Sequence, residues 1–127
     1  MENTPTCCEQ GLDRYAEFVA SISKPGEAIA ATITPHQLHC LHMILGVAGE
    51  VGELVDVLKK HVMYGKPLDR EHVIEELGDI EFYLQGLRNG LRMNRWDIVE
   101  RNVAKLSKRY AAGSYSDQQA ISRQDKQ

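Results

Sequence analysis

The sequence predicts an all-α protein, a helical bundle of about four main helices completed by homo-oligomerisation. Apolar residues recur at steps of three and four along most of the chain, and no segment alternates convincingly with period two. The prolines stand only at positions 5, 25, 35 and 67, each at the edge of a periodic segment. At 127 residues the chain fits one domain, residues 1–127, and a bundle of this size gains burial by self-association.

Residues 1–10 are polar and are expected to form a flexible tail. Leu12, Tyr15, Ala16, Val19 and Ile22 mark a first amphipathic helix over residues 11–22, which Lys24-Pro25-Gly26 ends. Residues 24–33 have no strong period and read as a loop. Thr34-Pro35-His36-Gln37 then supplies a capping threonine, a proline at the first helical position and a glutamine three after the cap, which predicts a long helix. It runs to about Tyr64, where Gly65-Lys66-Pro67 stops it. Asp69 caps a third helix carrying Val73, Ile74, Leu77, Ile80, Leu84 and Leu87, which ends near Asn89-Gly90. Asn94 caps a fourth, with Trp96, Ile98, Val99, Val103 and Leu106 as its apolar positions. The small, polar, glutamine-rich sequence that follows makes residues 114–127 a second expected tail.

The charge balance narrows the function. A formal net charge of −3 lacks the basic excess or stripe of a nucleic-acid-binding protein. Cys7, Cys8 and Cys40 are odd in number and two are adjacent, which suits neither a disulfide framework nor a CxxC zinc site; reduced thiols are expected. No apolar run reaches the length of a membrane span, and MENTPTCCEQ lacks the basic-then-apolar pattern of a secretory leader. A soluble cytoplasmic protein, with neither membrane nor nucleic acid as partner, is the expectation.

The chemistry is concentrated in two pairs of carboxylates. Glu50 and Glu53 precede the Gly-Lys-Pro turn, Glu76 and Asp79 follow it, and residues three apart on a helix share a face. Four converging carboxylates repel one another, and a hard cation relieves the repulsion; Mg²⁺ and Mn²⁺ prefer oxygen ligands, and Mg²⁺ commonly joins a few carboxylates to substrate phosphates. Di-iron bundles supply Glu-x-x-His from two helices, whereas the partners at three residues here are Glu53 and Asp79, which favours an oxygen-ligand site. The residues alone thus suggest a metal-dependent phosphate enzyme.

Placing residues at about 100° each around an ideal helix groups His39, His42, Gly46, Glu50, Glu53 and Lys60 on one side of the second helix. Gly46, Gly49 and Gly52 along it imply close approach by either a neighbouring helix or a ligand. On the third helix the same construction groups His72, Glu76, Asp79 and Tyr83, with Glu75 displaced. Histidines 39, 42 and 72 are candidates to bond substrate or support a ligand, against the alternative of packing or polar-rim roles. Asn102, Lys105 and Arg109 share a face of the fourth helix that can receive phosphate oxygens, although basic residues near a helix C-terminus are also favoured by the dipole.

The run GVAGEVGELVDVLKKHVMYGKP, then EELGDIEFYL, then NVAKLSKRY, resembles the MazG-like all-α nucleoside triphosphate pyrophosphohydrolases, whose signature is ExxE, a spacer and ExxD. The similarity spans roughly residues 38–113. It implies that Glu50, Glu53, Glu76 and Asp79 are metal ligands, and that Lys60, Asn102, Lys105 and Arg109 contact the nucleotide or its phosphates. It also implies Mg²⁺- or Mn²⁺-dependent hydrolysis of (d)NTP to monophosphate and pyrophosphate, by a homodimer or a dimer of dimers, in nucleotide-pool sanitation or balancing. Phe82 stands where the family often has Trp, and Ala111-Ala112-Gly113-Ser114-Tyr115 replaces the common Pro-x-Gly-Phe. Glu53 is the carboxylate expected to help deprotonate the attacking water. Three alternatives stand beside this expectation: a catalytically weak nucleotide-binding or regulatory module, a purely structural helical dimerisation domain with the acidic pairs as solvated faces, and an all-α dUTPase or dCTPase.

Overall fold

The computed structural model of the protein describes residues 7–126, and among these there are helices and no strands. The all-α expectation holds. The chain separates into two compact units, one ending at Thr34 and the next starting at Pro35.

The first unit contains α1, Cys7–Ile22, and the short α2, Gly26–Ala30. The backbone of α1 begins four residues before the predicted start, within the expected N-terminal tail; residues 1–6 of that tail lie outside the described residues. Tyr15, Phe18 and Ile22 of α1 are exposed within the chain. The predicted loop at 24–33 contains a helical turn, because Pro25 holds an extended N-cap conformation (φ −62°, ψ 146°) and Glu27 complements the positive end of the helix.

The second unit is built on a helical hairpin. α3, Pro35–Tyr64, and α4, Arg70–Leu91, pack extensively against each other, and Gly65 turns the chain between them with φ 63°. Asp69 caps α4 as predicted, its Oδ1 accepting from the His72 amide at 3.1 Å. The pairing is antiparallel: His36 Nε2 donates to the Gly90 carbonyl, His39 Nε2 to the Gly86 carbonyl, and Gly46 lies against Tyr83. Partner numbers on α4 fall as those on α3 rise, and the same register continued brings residues 50–53 opposite residues 76–79.

Glycines set the closeness of this contact. A Cβ at Gly46 would overlap the Tyr83 ring, one at Gly86 would overlap the Met43 sulfur, and one at Gly90 would stand 2.9 Å from His39. Gly49 and Gly52 face open space. Of the two explanations for the glycine row, helix packing accounts for Gly46, and no neighbour among the described residues accounts for the other two.

α5, Arg95–Arg109, begins at the predicted cap, where Asn94 Oδ1 accepts from the Trp96 amide at 2.7 Å. It carries few contacts to α3 and α4; its main partner among the described residues is a 3-10 turn, Gln124–Lys126. That turn follows α6, Asp117–Ser122, so the stretch 114–127 that was expected to be a tail contains two short helical elements. Ser116 caps α6, its Oγ accepting from the Gln119 amide at 3.2 Å, and Asp125 anchors the turn to Arg109. No helix among the described residues is long and apolar enough to cross a membrane.

Candidate metal centre

The hairpin register brings the two carboxylate pairs together. Oxygen or nitrogen atoms of Glu50, Glu76 and Asp79 lie within 4.8 Å of one another, as do those of Glu53, His72 and Glu76. All four predicted metal ligands are therefore in one region, and Glu76 belongs to both groups.

Glu76 is the most buried residue described. Its relative exposure is 3 %, against 5 % for Val57 and 7 % for Met43, which are the only buried hydrophobic residues among those described. Oε1 accepts a hydrogen bond from His72 Nε2 at 2.8 Å, while Oε2 is buried with no partner. A buried carboxylate oxygen without a donor is expensive, and native structures seldom tolerate one without a compensating ion or donor. Glu50 feels the same crowding. Its carboxyl is held above the ordinary carboxylate range, first by burial, then by the neighbouring Glu76 carboxyl, then by the charges of Asp79, Glu53 and Glu76.

These features pass a chemical test for a cation. The donor set is dominated by carboxylate oxygens, one of them orphaned, and the crowding raises the cost of leaving all four groups ionised without a positive charge. A hard divalent ion supplies that charge. Glu53 and Asp79 are exposed, so the centre opens to solvent on their side. Glu75 is exposed and lies outside both groups.

The predicted phosphate contacts are distributed unevenly. Lys60 pairs with Asp56 one turn earlier at 2.7 Å, which lowers the Asp56 carboxyl and raises the Lys60 ammonium. The same lysine lines a cleft of about 240 Å³ with Val57, Lys66, Pro67, Asp69 and His72, placing it beside the centre. Asn102 and Lys105 are exposed on α5. Arg109 is engaged by Asp125 as a two-pronged ion pair, Nε to Oδ1 at 2.7 Å and Nη2 to Oδ2 at 2.8 Å.

Two neighbours of the expected site carry more than their sequence positions suggested. Lys66, which serves in the sequence as part of a helix stop, lines the cleft with Lys60. His72 reaches Glu76 through the four-residue helical spacing that placed it on that face, so the signal for it was present. The other histidines on the α3 face act in packing: His39 bonds the Gly86 carbonyl at 3.3 Å, and His42 lies 6.3 Å from the Tyr83 ring centre.

Comparison with known proteins gives one finding. The family model for the MazG nucleotide pyrophosphohydrolase domain matches residues 39–113, more than half of the 127-residue chain and a span that includes all eight predicted site residues. Comparisons with curated proteins and with solved structures return no match.

Proposed function

The chain belongs to the MazG nucleotide pyrophosphohydrolase domain family, and from that premise we propose that it is a Mg²⁺-dependent hydrolase, able to use Mn²⁺, converting (d)NTP to (d)NMP and pyrophosphate. The observation that carries this is Glu76, a deeply buried carboxylate with one oxygen unpartnered and two other predicted ligands, Glu50 and Asp79, converging on it. Glu50, Glu53, Glu76 and Asp79 hold the cation. When bound, the cation neutralises these carboxylates, draws the triphosphate in and stabilises negative charge that develops on its phosphates.

The chain's own groups then divide the remaining work. Glu53 is exposed at the open side of the centre, where it can accept a proton from water. The water oxygen bonds to the α-phosphorus, the bond from that phosphorus to the α–β bridging oxygen breaks, and pyrophosphate leaves with the electron pair. Lys60 stands over the adjacent cleft and offsets charge on the phosphates. Asn102, Lys105 and Arg109 are the further substrate contacts, with Arg109 exchanging Asp125 for a phosphate.

Self-association as a homodimer or a dimer of dimers belongs to the same proposal. Leu45, Val55 and Val62 of α3, Ile74 and Phe82 of α4, and Trp96 and Val103 of α5 are each more than half exposed in the single chain. Apolar exposure on this scale is the mark of an association surface. Such an assembly, acting in the cytoplasm on the nucleotide pool, accounts for both the acidic centre and the uncovered helix faces.

Pyrophosphate release tests the activity. The purified protein is offered each common dNTP and NTP, dUTP and several oxidised nucleotides, with Mg²⁺, with Mn²⁺ and with chelator. Chelator-sensitive release from at least one nucleotide is expected, with the monophosphate as co-product. Release of single phosphates, or full turnover by both Glu53→Gln and Glu76→Gln, would falsify the assignment.

A further inference from the structure

The structure assigns His72 a positioning role: its imidazole holds one oxygen of Glu76 so that the other is presented to the cation, and it is not itself a ligand in this arrangement. This rests on the proposal that Glu76 binds the cation.

The two oxygens of Glu76 are in different situations. Oε1 lies 2.8 Å from His72 Nε2, and Oε2 is buried without a partner. An ionised carboxylate only accepts hydrogen bonds, so Nε2 carries the proton and donates it. A protonated ring nitrogen has no lone pair for a metal, so the Nε2 that faces Glu76 is not also a ligand atom, although His72 lies close enough to Glu53 and Glu76 to form a ligand group.

The support for the imidazole is itself fixed. The His72 backbone amide donates to the Asp69 cap at 3.1 Å, and His72 is one turn before Glu76 on the same helix. Asp69 thus fixes the start of α4, His72 projects from that fixed turn, and the imidazole fixes the Glu76 carboxylate. Without the bond, the carboxylate can rotate about its last torsion and exchange its two oxygens. Ligand groups held by such outer hydrogen bonds typically lose about 10- to 100-fold in metal affinity when the bond is removed.

The test uses Mn²⁺ as the probe and needs no turnover. Mn²⁺ is titrated into the full-length wild type, His72→Phe and His72→Gln, free ion being read by electron paramagnetic resonance and folding by circular dichroism. His72→Phe is expected to weaken binding by about 10- to 100-fold, and His72→Gln, whose amide can donate from a similar position, to recover most of the loss. Pulsed resonance on the wild-type Mn²⁺ complex is expected to show no directly coordinated nitrogen.

Unchanged affinity in a folded His72→Phe overturns the positioning role, as does equal loss in both variants. A directly bonded nitrogen that vanishes in His72→Gln also overturns it, and makes His72 a ligand. That last measurement depends only on the wild type and His72→Gln, so it decides even where His72→Phe does not fold. Failure of the wild type to bind Mn²⁺ at all overturns the cation site itself, and so is distinguishable from failure of the histidine's role alone.

Discussion

The α3–α4 hairpin and the α5 segment treat charge in opposite ways. The hairpin gathers four carboxylates and offers them one histidine, leaving a buried oxygen of Glu76 without a partner. The α5 segment carries the cations that phosphates need, and Arg109 among them is already satisfied by Asp125 of the same chain. An unsatisfied centre gains from binding an outside ion, whereas a satisfied one must first give up a partner. The acidic half should therefore respond steeply to its ligand and the basic half weakly.

The steepest response is expected at Glu76. Glu76→Gln keeps the shape and removes the charge, so Mg²⁺-dependent turnover should fall by more than about 100-fold, beyond the usual loss from an outer hydrogen-bond partner. The apoprotein should move the other way and melt at a higher temperature, because a buried charge without full compensation has been removed. Pyrophosphate release and thermal melts with and without Mg²⁺ measure both effects. Equal apo stability in wild type and variant would break the contrast between the two halves at its stronger end.

The next effect separates glycines that look alike in sequence. Gly46→Ala forces the Tyr83 ring to move and should destabilise the hairpin by about 1–3 kcal/mol, as overpacked cores do. Gly49→Ala and Gly52→Ala meet open space among the described residues and should stabilise α3 by about 0.5–1 kcal/mol. Urea unfolding gives the three values. A loss at Gly49 or Gly52, accompanied by a change in oligomer size on gel filtration, would place a second copy against that part of α3.

What the sequence made legible follows from range. Glu50 with Glu53, Glu76 with Asp79, and the caps at Asp69 and Asn94 are consequences of one helical turn, and local spacing fixes them before any tertiary contact forms. The register that makes Glu76 common to both groups needs the hairpin, and its burial below every described aliphatic residue has no local signature. Asp125 lies 16 residues from Arg109 in a polar stretch, and nothing in its neighbours marks it as a partner. The helical turn of α2 was hidden for a different reason: a single turn has too few residues to show a period.

A smaller response is expected at the α5 end. Asp125 is held down to about 2 by its hydrogen bond and charge pairing with Arg109, against partial burial that acts the other way. A carboxylate lowered in the folded state adds stability that is complete above its unfolded value near 3.8 and is lost as pH falls through about 2. Amide protection, measured relative to the intrinsic exchange rate, over α6 and the 3-10 turn should therefore hold down to about pH 4 and fall below it; Asp125→Ala should show low protection throughout. If Arg109 also receives phosphate, Asp125→Ala should lower KM for the triphosphate by about twofold to fivefold, the modest scale of competing ion pairs, with kcat little changed. A raised KM would instead make Asp125 a support for Arg109 and not its competitor.

The gentlest prediction returns to the acidic centre and concerns Glu50. Its raised carboxyl means that the folded apoprotein binds a proton more tightly there than the unfolded chain does. Apo stability from this group is then greatest at low pH and declines as pH rises from the ordinary carboxylate range through the raised value. A cation competes with that proton, so Mn²⁺ affinity should climb over the same window and level off above it, with protons released on binding. Calorimetry in two buffers of different ionisation enthalpy counts those protons. Glu50→Gln should abolish most of the release while leaving the pH response of the Arg109–Asp125 pair untouched, because the two halves neutralise charge independently. A shift of both together would join them into one electrostatic unit, and would mean that Asp125 leaves Arg109 as the carboxylates fill.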